Sequence, residues 1–193
     1  MASWLTWPSP LMATITFSKH KLPLYSAEVI QLAKYKGFKT INLVRRDDVK
    51  EELKALGADE VINTTTEDVV MRVKEITGGK LAYGSIDSIA GPLSKIVAAC
   101  TRDNGDVFMF GALESDAIIS LKDLYRKVKV RMWVVSMKLS EEKSQLDMEE
   151  IIELQAKGII KPLVGKSFPL IEYKEAIQES ERPKRGGKVL LVG

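Results

Sequence analysis

Arg45 and Arg46 directly follow the apolar run Thr40 to Val44 (TINLV). Two adjacent guanidinium forks can hold a phosphate bidentately, which lysine cannot do. Asp47 and Asp48 come next, so the pair also reads as two solvated arginines, partly ion-paired, ahead of a helix. Ala90-Gly91 and Gly111-Ala112-Leu113 each follow a short β-rich run. At the carboxyl ends of parallel strands, bare backbone lets a ligand approach closely, and ligands of open α/β sheets bind along that edge. Glycines in such places also serve simply to turn the chain. Met132-Trp133-Val134 is apolar and β-rich, the ordinary pattern of core. Cys100 falls within a helical pattern and reads as inert, since a reactive thiol needs an electropositive, exposed setting. His20 has no evident partner and reads neither as a metal ligand nor as a base. Asp87, in a strand beside Ile86 and Ile89, receives no role, and no residue is nominated as catalytic.

The elements that must position these residues alternate between strand and helix. Met12 to Phe17 reads as a short strand, and Ser26 opens a helix closed by Gly37. After the strand Thr40 to Val44, a helix runs from Asp47 to Leu56 and ends at Gly57. Glu60 to Asn63 is a strand, Glu67 to Ile76 a helix, and Gly84 to Ala90 a strand. Pro92 to Thr101 is a helix whose proline suits the first position. Asp106 to Phe110 and Val128 to Val135 are strands, and Ser140 to Lys157 is a charged helix with a solvated amphipathic face. From Gly158 onward the pattern changes: a strand, a short helix around Tyr173 to Ser180, a basic turn at Lys184 to Gly187, and a last strand Lys188 to Val192. Strands alternating with helices predict βαβ units, hence an α/β fold with a doubly wound, mostly parallel, Rossmann-like sheet. Three parts are expected: an atypical segment 1–25, a dinucleotide-binding domain 26–160, and a tail 161–193.

Composition narrows the function classes. The net charge of +3 comes from 29 basic and 26 acidic residues mixed along the chain, unlike the clustered basic face of a nucleic-acid binder. One cysteine excludes an internal disulfide, and one cysteine with one histidine are too few for a structural zinc site. No run approaches the ~20 apolar residues of a membrane span. The first 27 residues lack Asp and Glu, as transit peptides do, but they also lack Arg and carry Trp4 and Trp7. Cytoplasmic placement is the expectation, with mitochondrial placement as the alternative.

The order of phrases is more specific than any one of them. Gln31-Leu32-Ala33-Lys34 precedes Gly37 and the strand ending in Arg45-Arg46. Leu56-Gly57-Ala58-Asp59 precedes Val61-Ile62-Asn63, then come the Ile86-Asp87 strand, Gly105, Gly111 and the closing Gly187-Lys188-Val189. From about residue 26 to the end, this resembles the cofactor-binding domain of the zinc-independent medium-chain dehydrogenase/reductases, in their quinone and enoyl reductase branch. The resemblance implies an NADP(H)-dependent oxidoreductase acting on a small enoyl or quinone substrate, and a homodimer. It places Arg45 and Arg46 at the adenosine ribose, where arginine accommodates a 2′-phosphate and an acid would select NAD. It places Ala90, Gly91, Gly111, Ala112, Leu113, Trp133 and Val134 along the ribose and nicotinamide.

Two departures from the family pattern shape the expectation. Only about 25 residues precede the match, where the family has a catalytic domain carrying the enoyl reductases' proton-donating tyrosine. The family's Gly-rich phosphate turn is replaced by Ser18-Lys19-His20-Lys21-Leu22-Pro23-Leu24-Tyr25-Ser26, without glycine. The chain before Ser26 reads either as the first strand or as unrelated sequence joined there. The expectation is a truncated, impaired enzyme; the alternative is a non-catalytic paralogue or interaction module.

Overall fold

The computed structural model describes residues 14–18, 24–111, 115–132, 141–182 and 187–193. Its elements in chain order are β1 (Thr14–Ser18), α1 (Leu24–Lys36), β2 (Thr40–Val44), a 3₁₀ turn (Asp47–Val49), α2 (Lys50–Leu56), β3 (Glu60–Asn63), α3 (Val69–Ile76), β4 (Ala82–Asp87) and α4 (Pro92–Cys100). They continue with β5 (Thr101–Met109), α5 (Leu121–Tyr125), β6 (Lys129–Met132), α6 (Glu141–Ala156), β7 (Val164–Pro169), a 3₁₀ turn (Leu170–Glu172), α7 (Tyr173–Glu181) and β8 (Lys188–Val192). Six strands form one sheet in the order β3-β2-β1-β4-β5-β6, every pair parallel. This is the doubly wound arrangement expected from the alternation of elements. The segment before α1 is the central strand: Thr14 to Ser18 pair with Thr40 to Val44 on one side, and Thr14 and Ile15 with Gly84 and Ser85 on the other.

The apolar runs divide between the two faces of this sheet because side chains alternate along a strand. Ile41 and Leu43 of β2 join Ile62, Val69, Val73, Leu93, Val97 and Val107 in one core cluster, under α3 and α4. Val44, one residue on from Leu43 and so on the opposite face, joins Ile30, Val49, Leu53 and Val61 in the other, under α1 and α2. All five β2 residues are buried. The chain from Ala82 to Cys100 adds a thiol to the first cluster: Cys100 is buried, and burial above all pushes its pKa up to about 12.

Several boundaries differ from the sequence expectation. The helix α1 is described from Leu24, two residues before Ser26. The strand β4 starts at Ala82 and stops at Asp87, three residues short of Ala90. Asp87 ends it, because its Oδ1 accepts the N–H groups of Ile89 and Ala90 at 2.8 and 3.0 Å and so turns the chain. The strand β5 starts at Thr101, five residues before Asp106. Asn104 there has φ 59°, and the register with β4 shifts between Ala82 and Gly84. The stretch Arg102-Asp103-Asn104-Gly105, outside the expected strand, is thus a bulged part of it. The run beyond Met132, including Val134 and Val135, lies outside the described residues.

The helix α6 is solvated as expected, but so are its apolar residues Leu146, Met148, Ile151 and Ile152, while Leu154 is buried. The strands β7 and β8 make a separate two-stranded parallel sheet joined through α7. Gln31 of α1 meets the start of this unit twice, donating to Lys161 O at 3.2 Å and accepting from Lys161 N at 2.8 Å. Among the described residues, no helix is long and apolar enough to cross a membrane.

Two measurements check this packing. Asp87→Ala leaves two buried N–H groups and a hydroxyl without an acceptor and is expected to destabilise by roughly 2–4 kcal/mol, read from denaturant unfolding; Asp87→Asn, which retains an acceptor oxygen, should lose clearly less. Cys100 should resist alkylation at neutral pH in the native protein and react fully after denaturation, as followed by intact mass.

Candidate cofactor site

The strand order places a topological switch point between β1 and β4, where successive connections leave the sheet in opposite directions. Ligands of such sheets bind in the crevice beyond the carboxyl ends of the strands there. The loops after β2, β3, β4 and β5 converge on that edge. The glycine-free connection after β1 falls largely at residues 19–23, outside the described residues.

The floor of the edge is built around Asp87, which has no exposed surface. Its carboxylate takes the two N–H groups already named, and its Oδ2 accepts from Ser94 Oγ at 3.0 Å. Its backbone carbonyl accepts from Phe110 N at 3.1 Å. One residue thus sets the turn into α4 and ties the end of β5 to the end of β4. The turn it shapes has Ala90 at φ 64° and Gly91 at φ 65°, ψ −151°. The second conformation is open essentially to glycine alone. Gly111 is fixed by contact instead: a Cβ there would lie 2.5 Å from Ser88 O. Sequence reasoning assigned no role to Asp87; the signal was an aspartate two and three residues ahead of the amides it caps.

The structure therefore brings Ala90, Gly91 and Gly111 together, and each glycine serves a tight turn or a close approach. Ala112, Leu113, Trp133 and Val134 lie outside the described residues. Arg45 and Arg46 stand at the end of β2, on the other side of β1 from β4. Two strand spacings separate these ends, about 10 Å, a distance that an extended dinucleotide crosses.

The loop bearing the arginines is held by an ionic chain. Arg46 Nε lies 3.3 Å from Asp48 Oδ1, while its Nη2 is buried with no hydrogen-bond partner among the described residues. Asp47 pairs with Lys50 rather than with an arginine, at 2.8 Å, and Lys50 also reaches Glu67 Oε1 at 3.0 Å. Glu67 accepts the N–H of Asn63 at 2.8 Å. That backbone bond, followed by Lys50, holds the Glu67 carboxyl below its usual range. Lys50, followed by the Asn63 side chain, does the same for Asp47, and Asp47 first among its neighbours raises Lys50. The expected pairing of the arginines with Asp47 and Asp48 is thus realised for Arg46 and Asp48, and the lysine that takes Asp47 was missed.

Comparison with known proteins agrees with this geometry. Residues 28–154 match the family described as zinc-binding dehydrogenase. The NAD-dependent alcohol dehydrogenase of Sulfurisphaera tokodaii is 32% identical over 165 residues, covering 84% of this chain and 46% of that protein. The mitochondrial enoyl-[acyl-carrier-protein] reductase of Dictyostelium discoideum is 29% identical over 178 residues, covering 84% of this chain and 49% of that protein. A crystal structure from Bacillus thuringiensis, assigned as an NADPH:quinone reductase, superposes with a TM-score of 0.85 at 25% identity, over 99% of this chain and 59% of that one. The chain spans about half the length of the curated relatives it matches. With an all-parallel six-stranded sheet in this strand order and a family match across most of it, the chain belongs to the zinc-binding dehydrogenase family of the medium-chain dehydrogenase/reductases, and its main sheet is their Rossmann-like cofactor-binding fold.

Proposed function

We propose that this chain supplies the nucleotide-binding part of an NADP(H)-dependent oxidoreductase of the enoyl or quinone reductase type. The observation that carries the reading is the arginine pair at the end of the buried strand β2. A 2′-phosphate at the adenosine ribose would be met by these arginines, and a guanidinium fork suits it better than any other side chain. The alcohol dehydrogenase relative is described as NAD-dependent, and an acid in place of these arginines would favour that cofactor. The bare edge at Gly91 and Gly111 fits the backbone approach of a ribose or nicotinamide. When bound, the nicotinamide supplies the hydride, and the protein supplies orientation and electrostatics.

No residue of the chain is proposed as catalytic. The segment 161–193 is read as the tail that packs on a catalytic domain in the longer relatives, and 26–160 as the nucleotide-binding domain. The connection between β1 and α1 carries no glycine, which weakens the grip on the pyrophosphate, because glycine is what lets bare backbone approach it. A homodimer and a small enoyl or quinone substrate complete the proposal. The alternative, a module that binds a partner without turnover, draws on the apolar surface at Leu170, Ile171, Leu190 and Leu191, all exposed.

Titration with NADPH, followed by cofactor fluorescence, tests the reading. Saturable binding that Arg46→Glu weakens roughly tenfold or more is expected, from loss of one charge-assisted contact and gain of repulsion. No binding at millimolar NADPH would overturn it.

A further inference from the structure

We propose that Lys50 is a cofactor-specificity residue, which withdraws Asp47 from the adenosine ribose and so disfavours NAD(H); this rests on the NADP(H) reading above. The loop after β2 carries two carboxylates immediately beyond its arginines. A carboxylate in such a place ordinarily takes the ribose hydroxyls of NAD(H) and repels a 2′-phosphate. Here both are occupied. Asp48 lies against Arg46 Nε. Asp47 is bound to Lys50, and Lys50 is bound at the same time to Glu67.

The direction of this tether gives it a consequence. Glu67 is fixed to β3 through the N–H of Asn63 and is approached by Arg72 Nε at 3.5 Å. Lys50 therefore draws Asp47 toward the end of β3, on the side away from β1 and the switch point. The Asp47 side chain is 63% exposed, so it has room to swing toward the arginines once the lysine is gone. Its remaining partner is then the neutral Asn63 side chain, which holds a carboxylate less strongly than an ammonium does. Such exposed ion pairs contribute little to stability. What Lys50 controls is where a negative charge stands beside Arg45 and Arg46.

The test compares dissociation constants for NADPH and NADH in the parent chain and in Lys50→Gln, with circular dichroism as the check on folding. The NADPH preference should fall roughly tenfold, the order expected when a carboxylate faces a doubly charged phosphate ~6 Å away in water. Lys50→Arg should keep the preference, and Asp47→Asn placed in the Lys50→Gln background should restore it. Lys50→Met carries the same expectation should Lys50→Gln not fold. An unchanged ratio in the lysine variants, with the parent still preferring NADPH, overturns this proposal and leaves the cofactor reading standing. A parent chain that binds neither nucleotide overturns the cofactor reading, and this proposal with it.

Discussion

A carboxylate cannot be removed from water without partners that replace its hydration, and Asp87 is removed from it completely. Two backbone amides and a serine hydroxyl supply that replacement. Because the donors belong to the turn into α4, satisfying the carboxylate dictates the path of that turn. The path forces positive φ at Ala90 and Gly91 and brings Ser88 O so near the end of β5 that only glycine fits at position 111. Ser85 and Thr101, also fully buried, are joined at 2.6 Å between the same two strands. The carboxyl edge of the sheet is a rigid surface built from one buried charge and its ligands.

On the other side of β1 the same edge is organised by exposed charges, and their logic is different. Ion pairs in water contribute little to folding, so the chain Asp47–Lys50–Glu67 matters through the position of its charges. The arrangement leaves a guanidinium nitrogen without a partner while each neighbouring carboxylate has one. In the proposed reading, the tightly turned backbone near β4 and β5 and the arginines near β2 would face the two ends of a dinucleotide.

The fold was largely legible because burial on both faces writes a continuous apolar run, as in Thr40 to Val44, and helices between such runs write a longer period. Terminators were legible where one residue type decides them: α2 ends before Gly57 and α4 begins with Pro92, both as expected. The misread boundaries of β4 and β5 are decided by local geometry that residue types alone do not write. Asp87 shortens β4 through its own carboxylate, and β5 is lengthened through a bulge in a stretch whose residue types favour turns. That Arg45 and Arg46 follow a strand and that Gly91 and Gly111 sit at tight turns was legible from residue type and place in the chain. Asp87 and Lys50 were not, because their importance lies in what they hold in place.

Calorimetric titration of the chain with 2′,5′-ADP and with ADP isolates the interaction on which the account rests, since the two differ in the 2′-phosphate and neither carries a nicotinamide. The account predicts measurable binding of 2′,5′-ADP, markedly tighter than that of ADP and weakened by added salt as expected for a phosphate held by arginines near the surface. Equal affinity for the two, or binding of ADP alone, would contradict it.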